Sequence, residues 1–302
     1  MKITAIIVVK NNPPRLFESL ESIKALVSEI IIGNIDIGND YKKRLLNDKK
    51  IKLIDLPSDT PFADLVKEDL KKRAKGDYIL YLDPDEIFPK EIISYLQTLI
   101  EKHDYIFFPR KNIIFGKWIQ QSRWWPDYQL RLFKKNSVIW PKELHPVPKV
   151  KGKEFKFEAK ETNALLHYNY DNLDQYLEKA IRYAKSEAKL AIAKKEKFTL
   201  ASTFQKSITE FISRFFALEG YKDGMHGLVL SILQMFYYFL AYFYFWEMKK
   251  YAETEKNTPK EFQTFTKNLH FETSFWLVNK NLVPAGEKMR LKIQNKLLKI
   301  FK

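Results

Sequence analysis

Short apolar runs alternate with amphipathic stretches through the first half of the chain. Apolar runs of strand length occupy residues 3–9, 29–32, 51–56, 78–82 and 105–108. Between them, apolar positions such as Leu16, Leu20 and Ile23 recur at helical spacing, and residues 61–75 and 89–100 also predict helices. Strands that alternate with helices predict an α/β fold, in which a mostly parallel sheet carries helices on both faces.

The pattern becomes helical near the middle of the chain. Apolar spacing predicts helices over residues 171–195 and 204–218. Residues 227–248 follow as an almost continuous apolar and aromatic stretch. The change predicts two regions, an α/β domain over residues 1–170 and a helical region over residues 171–302.

The apolar stretch at 227–248 is long enough to cross a membrane. As a helix it would extend about 33 Å, close to the roughly 30 Å hydrocarbon core of a bilayer. It also contains several tyrosines, which prefer the membrane interface. We therefore expect membrane association, and both a peripheral and a single-pass mode stay open.

The last stretch, residues 286–302, predicts a basic amphipathic helix. Met289, Ile293, Leu297 and Ile300 share one face, and lysines and Arg290 supply positive charge. Such a helix is typical of attachment to an anionic membrane surface. The alternative is a helix that packs its apolar face on the protein.

An acidic cluster follows the run at 78–82. Asp83 and Asp85 come directly after this predicted strand, and ligands bind beyond the carboxyl ends of strands in open α/β sheets. Mg²⁺ and Mn²⁺ prefer oxygen ligands and often take only one or two from protein. The cluster indicates a divalent metal site for a phosphorylated ligand. The alternative is a solvated acidic turn.

A second candidate segment lies at residues 124–133. Alternating polarity predicts a strand over 128–133, and Asp127 stands at its start beside Trp124 and Trp125. Aromatic surroundings predict a raised pKa and a general-base role for Asp127. Arg131 could offer paired donors to phosphate oxygens. The alternative is a structural aspartate that caps a turn with an arginine partner.

These two segments, in this order, resemble family 2 glycosyltransferases of the GT-A fold. Within that family the chain is most similar to the lipopolysaccharide core group, whose members carry a P-D-x-Q-x-R-L-F segment, found here from Pro126 to Phe133. The resemblance also covers the following segments, up to about residue 250: Gly116-Lys117-Trp118, Leu144-His145, Leu166-His167-Tyr168, the predicted helix from 171 and Gly220 to Gly224.

The resemblance implies roles for individual residues. Asp83 would hold the ribose or diphosphate of a nucleotide-sugar, and Asp85 would coordinate Mg²⁺ or Mn²⁺. Asp127 would be the base of an inverting single displacement. Either His145 or His167 would contact the metal or the diphosphate.

The resemblance also implies a nucleotide pocket lined by Asn11, Asn34, Asp36 and Lys67. The chain departs from the family pattern there. Asn12 stands where an acid usually follows Asn11, Asn34 stands where an aspartate usually reads the base, and Lys67-Glu68 replaces an Arg-Asn pair. We expect a UDP-sugar donor, although these changes leave the base open.

The net charge of the chain bears on its binding partner and on its location in the cell. The net charge is +15 with a pI near 9.5, and the chain has no cysteine, so thiolate metal sites and disulfides are excluded. A basic surface favours an anionic partner. We expect a transferase at the cytoplasmic face of the membrane that acts on a lipid-linked or cell-surface glycan, as in lipopolysaccharide biosynthesis, and we expect no nucleic acid.

Two other classes compete with this function. A sugar nucleotidyltransferase shares the sheet and the acidic site, but its glycine-rich loop is missing from residues 10–14. A non-catalytic protein that binds polyanions or nucleic acid would suit the charge, but no nucleic-acid motif is present.

Overall fold

The chain divides into two compact units. The structure is a computed structural model that describes residues 1–60, 62–141, 147–253 and 257–300. The first unit comprises residues 1–113 and 125–169, and the second comprises 114–124 and 170–302. The first unit ends close to the predicted boundary at 170, but residues 114–124 belong to the second unit.

The strands of the chain lie mainly in the first unit. They are β1 (Ile3–Lys10), β2 (Glu29–Ile35), β3 (Ile51–Asp55), β4 (Tyr78–Tyr81), β5 (Glu86–Ile87), β6 (Tyr105–Phe108), β7 (Arg110–Ile114), β8 (Lys117–Trp118), β9 (Gln129–Lys134), β10 (Val138–Ile139), β11 (Lys149–Val150), β12 (Glu154–Lys156) and β13 (Leu165–Tyr170). Within the described residues, the central sheet has the order β12–β6–β9–β4–β1–β2–β3. The strands predicted from apolar runs are confirmed as β1, β2, β3, β4 and β6.

Most of this sheet is parallel. β1 pairs in parallel with β2 and β4, and β2 pairs in parallel with β3. Strand β9 is the exception, since it runs antiparallel between β4 and β6 and places Leu132 opposite both Leu80 and Ile106. This insertion brings the segment that begins at Asp127 beside the strand that ends before Asp83.

Helices cover both faces of the sheet, as predicted. The helices of this unit are α1 (Leu16–Ile23), α2 (Asn39–Leu46), α3 (Asp64–Lys72) and α4 (Ile93–Lys102). One core joins α1 and α4 to alternate residues of β1, such as Ile7, while the other joins Leu70 of α3 to Ile6. Because successive strand residues point to opposite faces, a strand buried on both sides reads as a continuous apolar run.

Gly76 does not terminate α3, because the helix already ends at Lys72. A Cβ on Gly76 would lie 2.6 Å from the backbone nitrogen of Thr4. The glycine therefore permits the backbone to approach β1 closely just before β4 begins.

In a smaller sheet, the acidic segment after β4 pairs with a strand from the end of the first unit. β13 pairs antiparallel with β5, so that His167 lies opposite Glu86 and Leu166 lies opposite Ile87. This pairing places a histidine from late in the unit beside the residues that follow β4.

The second unit is helical. Its helices are α5 (Leu173–Ala193), α6 (Leu200–Ile212), α7 (Met225–Met248), α8 (Thr258–Asn279) and α9 (Ala285–Ile300). Aromatic residues dominate its core, where Phe204 and Phe265 have ring centroids 4.6 Å apart. A Cβ on Gly227 would lie only 1.8 Å from the carbonyl oxygen of Gly220, so glycine is required for this approach.

The glycine-punctuated segment before α7 has a structural role. Asp223 is buried, and its carboxylate accepts hydrogen bonds from the backbone N–H groups of Gln120 and Gln121. Lys117 donates to its carbonyl oxygen over 2.7 Å. Two distant segments that carry the family resemblance are thus held together within this unit.

Two helices of this unit carry long apolar surfaces. α7 is long and apolar enough to cross a bilayer, and 28% of its most apolar stretch is buried within the protein. On α9, Met289, Ile293 and Leu297 are 66%, 55% and 50% exposed, whereas Leu291 is buried. The described part of α9 therefore turns its apolar stripe outward, and the alternative in which that stripe packs on the protein is wrong.

Candidate functional site

Asp83 lies directly beyond β4 and belongs to a network of buried charges. Its carboxylate accepts a hydrogen bond from the guanidinium of Arg131 in β9, and the same guanidinium donates to Glu86 over 2.5 Å. The N–H group of Asp83 donates to the other oxygen of Glu86 over 3.1 Å. Glu86 and Arg131 are almost fully buried, so they hold the strand end in one arrangement.

Asp83 stays ionised in this network. Burial would raise the pKa of Asp83, but the positive charges of Arg131, Lys67 and Arg110 outweigh burial and hold that pKa well below its usual range. The carboxylate therefore presents a full negative charge at the sheet edge.

The side chain of Arg131, which is predicted to bind phosphate, contacts carboxylates in the structure. Its side chain lies between Asp83 and Glu86, and their charges raise the pKa of Arg131 although burial opposes this. The hydrogen bonds described for the guanidinium run to these carboxylates. Arg131 thus positions Asp83, while its Nε is a buried donor without a partner among the described residues. The contact with phosphate expected of it stays a prediction.

Asp127 precedes β9 and accepts hydrogen bonds from three side chains. Arg110 donates to one carboxylate oxygen over 2.8 and 2.5 Å, and Asn112 donates to the same oxygen over 3.1 Å. Gln129 donates to the other oxygen over 2.8 Å. The second oxygen thus has fewer donors.

The predicted rise in the pKa of Asp127 is wrong in sign. Burial does raise it, but the charge of Arg110 and the hydrogen bonds from Arg110, Asn112 and Gln129 outweigh burial, so the pKa is lowered. The neighbouring tryptophans suggested desolvation, whereas the partners that decide the pKa come mostly from β7.

Asn112 links Asp127 to His167. A carboxylate only accepts hydrogen bonds, so the amide nitrogen of Asn112 must face Asp127. The amide oxygen then faces Nδ1 of His167 over 2.6 Å. Nδ1 is therefore the donor in this contact, and in the corresponding neutral tautomer Nε2 is the ring nitrogen with a lone pair.

Nε2 of His167 points toward Asp85. It lies 3.6 Å from a carboxylate oxygen of Asp85, which is partly exposed, while the histidine is buried. A carboxylate oxygen and an imidazole nitrogen oriented through its other nitrogen are a donor set that divalent metals accept. No group of three acidic, histidine or cysteine ligands occurs among the described residues. The pair thus suits a cation that takes its other ligands from phosphate and water.

The predicted nucleotide-pocket residues lie at the same edge of the sheet but differ in exposure. Asn34 is the second-last residue of β2 and is buried, where its amide donates to Asp55 and accepts from the N–H of Ile37 over 2.8 Å. Asn34 thus supports the turn, and its contact with a base stays a prediction. That turn presents Asp36, which is exposed and has a φ of 58°.

Asn11 and Lys67 complete the predicted pocket. Asn11 follows β1 with a φ of 56°, and its N–H donates to Ile35 over 2.9 Å, which ties the ends of β1 and β2 together. The amine of Lys67 lies 2.7 Å from Asp64 and 4.9 Å above the ring of Trp140. Its charge still contributes to the lowered pKa of Asp83.

Sequence reasoning placed Glu86 in the acidic cluster without giving it a role of its own, and it did not select Arg110 or Asn112. Arg110 and Asn112 are two apart on β7 and therefore share a face, and two polar residues on one face of a short strand were an available signal. Arg15 lies 3.6 Å above the ring of Tyr168, which neighbours His167. The other candidate histidine, His145, lies outside the described residues.

Comparison with known proteins identifies a family. Residues 4–151 match the model for "Glycosyl transferase family 2". An uncharacterized glycosyltransferase of Rickettsia typhi is 23% identical over 254 residues, which are 79% of this chain and 85% of that protein. Another from Rickettsia felis is 24% identical over 79% of this chain and 87% of its own length.

Similarity to a solved structure is low in both sequence and superposition. Residues 1–349 of S. aureus TarS in complex with UDP-GlcNAc superpose with a TM-score of 0.43 and 14% identity, over 84% of this chain and 93% of that chain.

Proposed function

Because the chain belongs to glycosyltransferase family 2, we propose that it transfers a sugar from a nucleoside diphosphate to a glycan hydroxyl in an inverting single displacement. Its first unit has the GT-A fold predicted from sequence. The favoured donor is a UDP-sugar, and the favoured acceptor is a lipid-linked or cell-surface glycan. This conclusion removes the nucleotidyltransferase and the non-catalytic polyanion binder as leading alternatives.

One observation carries the proposal. Hydrogen bonds run without a break from Asp127 through Asn112 to His167, and Nε2 of His167 faces Asp85. At one end, the carboxylate of Asp127 would face the acceptor sugar. At the other end, His167 and Asp85 would face the nucleotide-sugar donor. A transferase needs both functions in one rigid arrangement.

Asp127 would act as the base. The new bond forms between the acceptor oxygen and the anomeric carbon while the bond from that carbon to the diphosphate oxygen breaks. The hydroxyl proton passes to Asp127, most readily to the oxygen that accepts from Gln129 alone among the described residues. Because the pKa of Asp127 is lowered, the proton would transfer late, when bond formation has already made the hydroxyl acidic.

Donor binding would rest on the acidic residues at the end of β4. Asp83 would contact the ribose or the diphosphate, while Asp85 and His167 would hold a divalent cation. Mg²⁺ or Mn²⁺ supplies the charge that stabilises a leaving diphosphate. Since Asp83 is held ionised, it would repel a diphosphate in the absence of a cation. We therefore expect donor binding to depend on the metal.

The membrane would be the place of action. We assign the exposed stripe of Met289, Ile293 and Leu297 to the anionic cytoplasmic surface, because apolar residues flanked by lysines suit the interface. α7 allows either a peripheral or a single-pass mode. This location would supply a lipid-linked acceptor.

A thermal-shift panel tests the function. UDP, GDP, CDP, ADP and dTDP are each added with Mn²⁺ or with EDTA. A ligand at one hundred times its Kd stabilises the folded state by about 2.7 kcal/mol, and we expect such a shift with UDP and Mn²⁺. EDTA and Asp85→Asn should abolish it, while the exposed control Asp174→Asn should retain it.

Transfer itself is then followed by mass spectrometry with UDP-sugars and membrane glycolipids. A UDP shift that survives EDTA and Asp85→Asn would refute the cation site but not the transferase. No shift with any diphosphate, in folded protein, would refute nucleotide-sugar binding.

A further inference from the structure

A cleft opens between α8 and α9 in the second unit. It has a volume of about 310 Å³, and α8 supplies an apolar wall of Phe271, Phe275 and Val278. Lys292, Asn295 and Lys296 of α9 form the polar side. A liquid water molecule takes up about 30 Å³, so the cleft has room for a sizeable organic group.

The polar side of the cleft combines two exposed lysine amines with one buried amide oxygen that has no partner among the described residues. Among the described residues, neither Lys292 nor Lys296 forms an ion pair or hydrogen bond, and Oδ1 of Asn295 is a buried atom with no partner. Buried polar atoms in proteins are normally bonded to protein, water or ligand. The two amines and the amide therefore indicate a ligand with both negative charge and a donor group.

The apolar side specifies the rest of the ligand. Phe275 is substantially exposed although it lines the cleft, and covering an exposed aromatic side chain with apolar groups is favourable. A purely ionic ligand such as phosphate would leave this wall exposed. The ligand is therefore an anionic amphiphile.

The surroundings of the cleft identify the source of that amphiphile. Lys292 and Lys296 directly precede Ile293 and Leu297, two residues of the exposed stripe on the same helix. Residues at this spacing lie on adjoining faces. The cleft is thus continuous with the surface that we assign to the membrane.

We propose that the α8–α9 cleft binds one anionic phospholipid. Lys292 and Lys296 hold its phosphate, Asn295 accepts a hydrogen bond from a headgroup hydroxyl, and the upper acyl chain lies on Phe271 and Phe275. The site rests on the proposed membrane docking but is independent of the transfer chemistry. It turns non-specific attraction to a bilayer into recognition of a lipid class.

The experiment uses the full chain and lipids below their micelle concentration. Dihexanoyl-phosphatidylglycerol and dihexanoyl-phosphatidylcholine are titrated by calorimetry. We expect saturable binding of the first and at least tenfold weaker binding of the second. Lys292→Glu combined with Lys296→Glu should weaken phosphatidylglycerol binding at least tenfold.

A matched control separates the cleft from general charge. Lys260→Glu combined with Lys267→Glu makes the same charge change at exposed positions of α8, and binding should stay within twofold. Asn279→Trp changes no charge but fills the cleft that Asn279 also lines, and it should weaken binding at least fivefold. Melting temperatures check that each variant is folded.

Equal losses in the two charge-reversal pairs would overturn the proposal, as would equal binding of the two lipids or normal binding to Asn279→Trp. Binding to vesicles of phosphatidylcholine with 30% phosphatidylglycerol tests membrane docking separately from lipid binding in the cleft. Loss of vesicle binding after substitution of the exposed stripe, with monomeric lipid still bound, would support the cleft as a separate site.

Discussion

The two units of the chain treat charged and apolar residues in opposite ways. The first unit buries Glu86 and Arg131 and surrounds them with partners. The second unit exposes Met289, Ile293 and Leu297. Both arrangements have a cost, since unpaired buried charges and exposed apolar patches are each unfavourable.

The difference shows where each unit finds its partner. The buried charges of the first unit are paired with other side chains, although Nε of Arg131 has no partner among the described residues. This pairing leaves Asp83, Asp85 and Asp127 in defined positions. The exposed apolar residues of the second unit have no such partner among the described residues, so the proposed partner lies outside the chain. Net charge alone, at +15, distinguishes neither role.

The largest effect should follow loss of the base in the first unit. Asp127→Asn keeps the size of the side chain but removes its basicity, and a positioned general base contributes about 10²–10⁴-fold to rate. We expect kcat to fall about a thousandfold in a UDP-sugar transfer assay, while the thermal shift with UDP and Mn²⁺ is retained. Asp174→Asn is the control, and transfer at the normal rate by Asp127→Asn would contradict the assignment.

The buried charges themselves should be the next most sensitive. Glu86→Ala leaves Arg131 without one of its two carboxylate partners, and breaking a buried ion pair costs about 3–5 kcal/mol. Urea unfolding monitored by fluorescence should show this loss. Glu91→Ala, at an exposed position of the same unit, should change stability by less than about 0.5 kcal/mol. Similar small losses in both variants would show that the network is not stabilising.

Asn112 tests whether positioning matters apart from charge. Asn112→Leu removes the bonds to Asp127 and His167, and loss of a group that orients a metal ligand typically costs about 10–100-fold. We expect Mn²⁺ affinity, measured by electron paramagnetic resonance with UDP present, to fall by this factor together with kcat.

The control for Asn112 is Asn163→Leu, where the amide donates only to a backbone carbonyl. A loss of kcat in Asn112→Leu with unchanged Mn²⁺ affinity would show that Asn112 supports Asp127 but not the metal ligands.

The sequence predicted the strands that carry the site better than the contacts between its side chains. Apolar runs located β1, β2 and β4 because strands buried on both faces have a strong local pattern. Asp83, Asp85, Asp127 and His167 were all selected, and the structure joins them through side-chain contacts. The aspartates could be found because Asp83 and Asp85 follow one predicted strand and Asp127 precedes another.

The partners of these residues could not be predicted in the same way. The lowered pKa of Asp127 depends on Arg110, which lies 17 residues away on another strand. Arg131 was assigned to phosphate because its pairing with Asp83 and Glu86 depends on the antiparallel insertion of β9. Asn34 was assigned to the base because nothing local shows that its amide is occupied. Each of these partners is set by tertiary contacts and not by local pattern.

The exposed stripe of the second unit should give a moderate effect. Replacing Met289, Ile293 and Leu297 by Gln removes apolar surface from α9 without changing its charge. We expect vesicle binding to weaken about tenfold, since each buried CH₂ contributes about 0.8 kcal/mol. Transfer to a soluble acceptor should be unchanged. Unaltered flotation with vesicles would assign membrane attachment to another surface.

The smallest effect is the pH dependence of stability. Because the folded pKa of Asp127 lies below its ordinary value of 3.8, its ionised form stabilises the fold above that pH, and this contribution is lost as the pH falls through the folded pKa. The difference in unfolding free energy between wild type and Asp127→Asn should be constant from pH 7 to about 5 and shrink at lower pH. A difference that shrinks already near neutrality would indicate a raised pKa.

The short pairing of β5 with β13 also limits how this chain can change during evolution. His167 meets Glu86 through a two-residue ladder, and one added or deleted residue in β13 would turn Leu166 or Tyr168 toward Asp85 instead. Length changes in the loops between these strands leave that alignment intact. Insertions in homologues should therefore accumulate in the loops and spare β13, and a simple count of gaps along an alignment would reveal this bias.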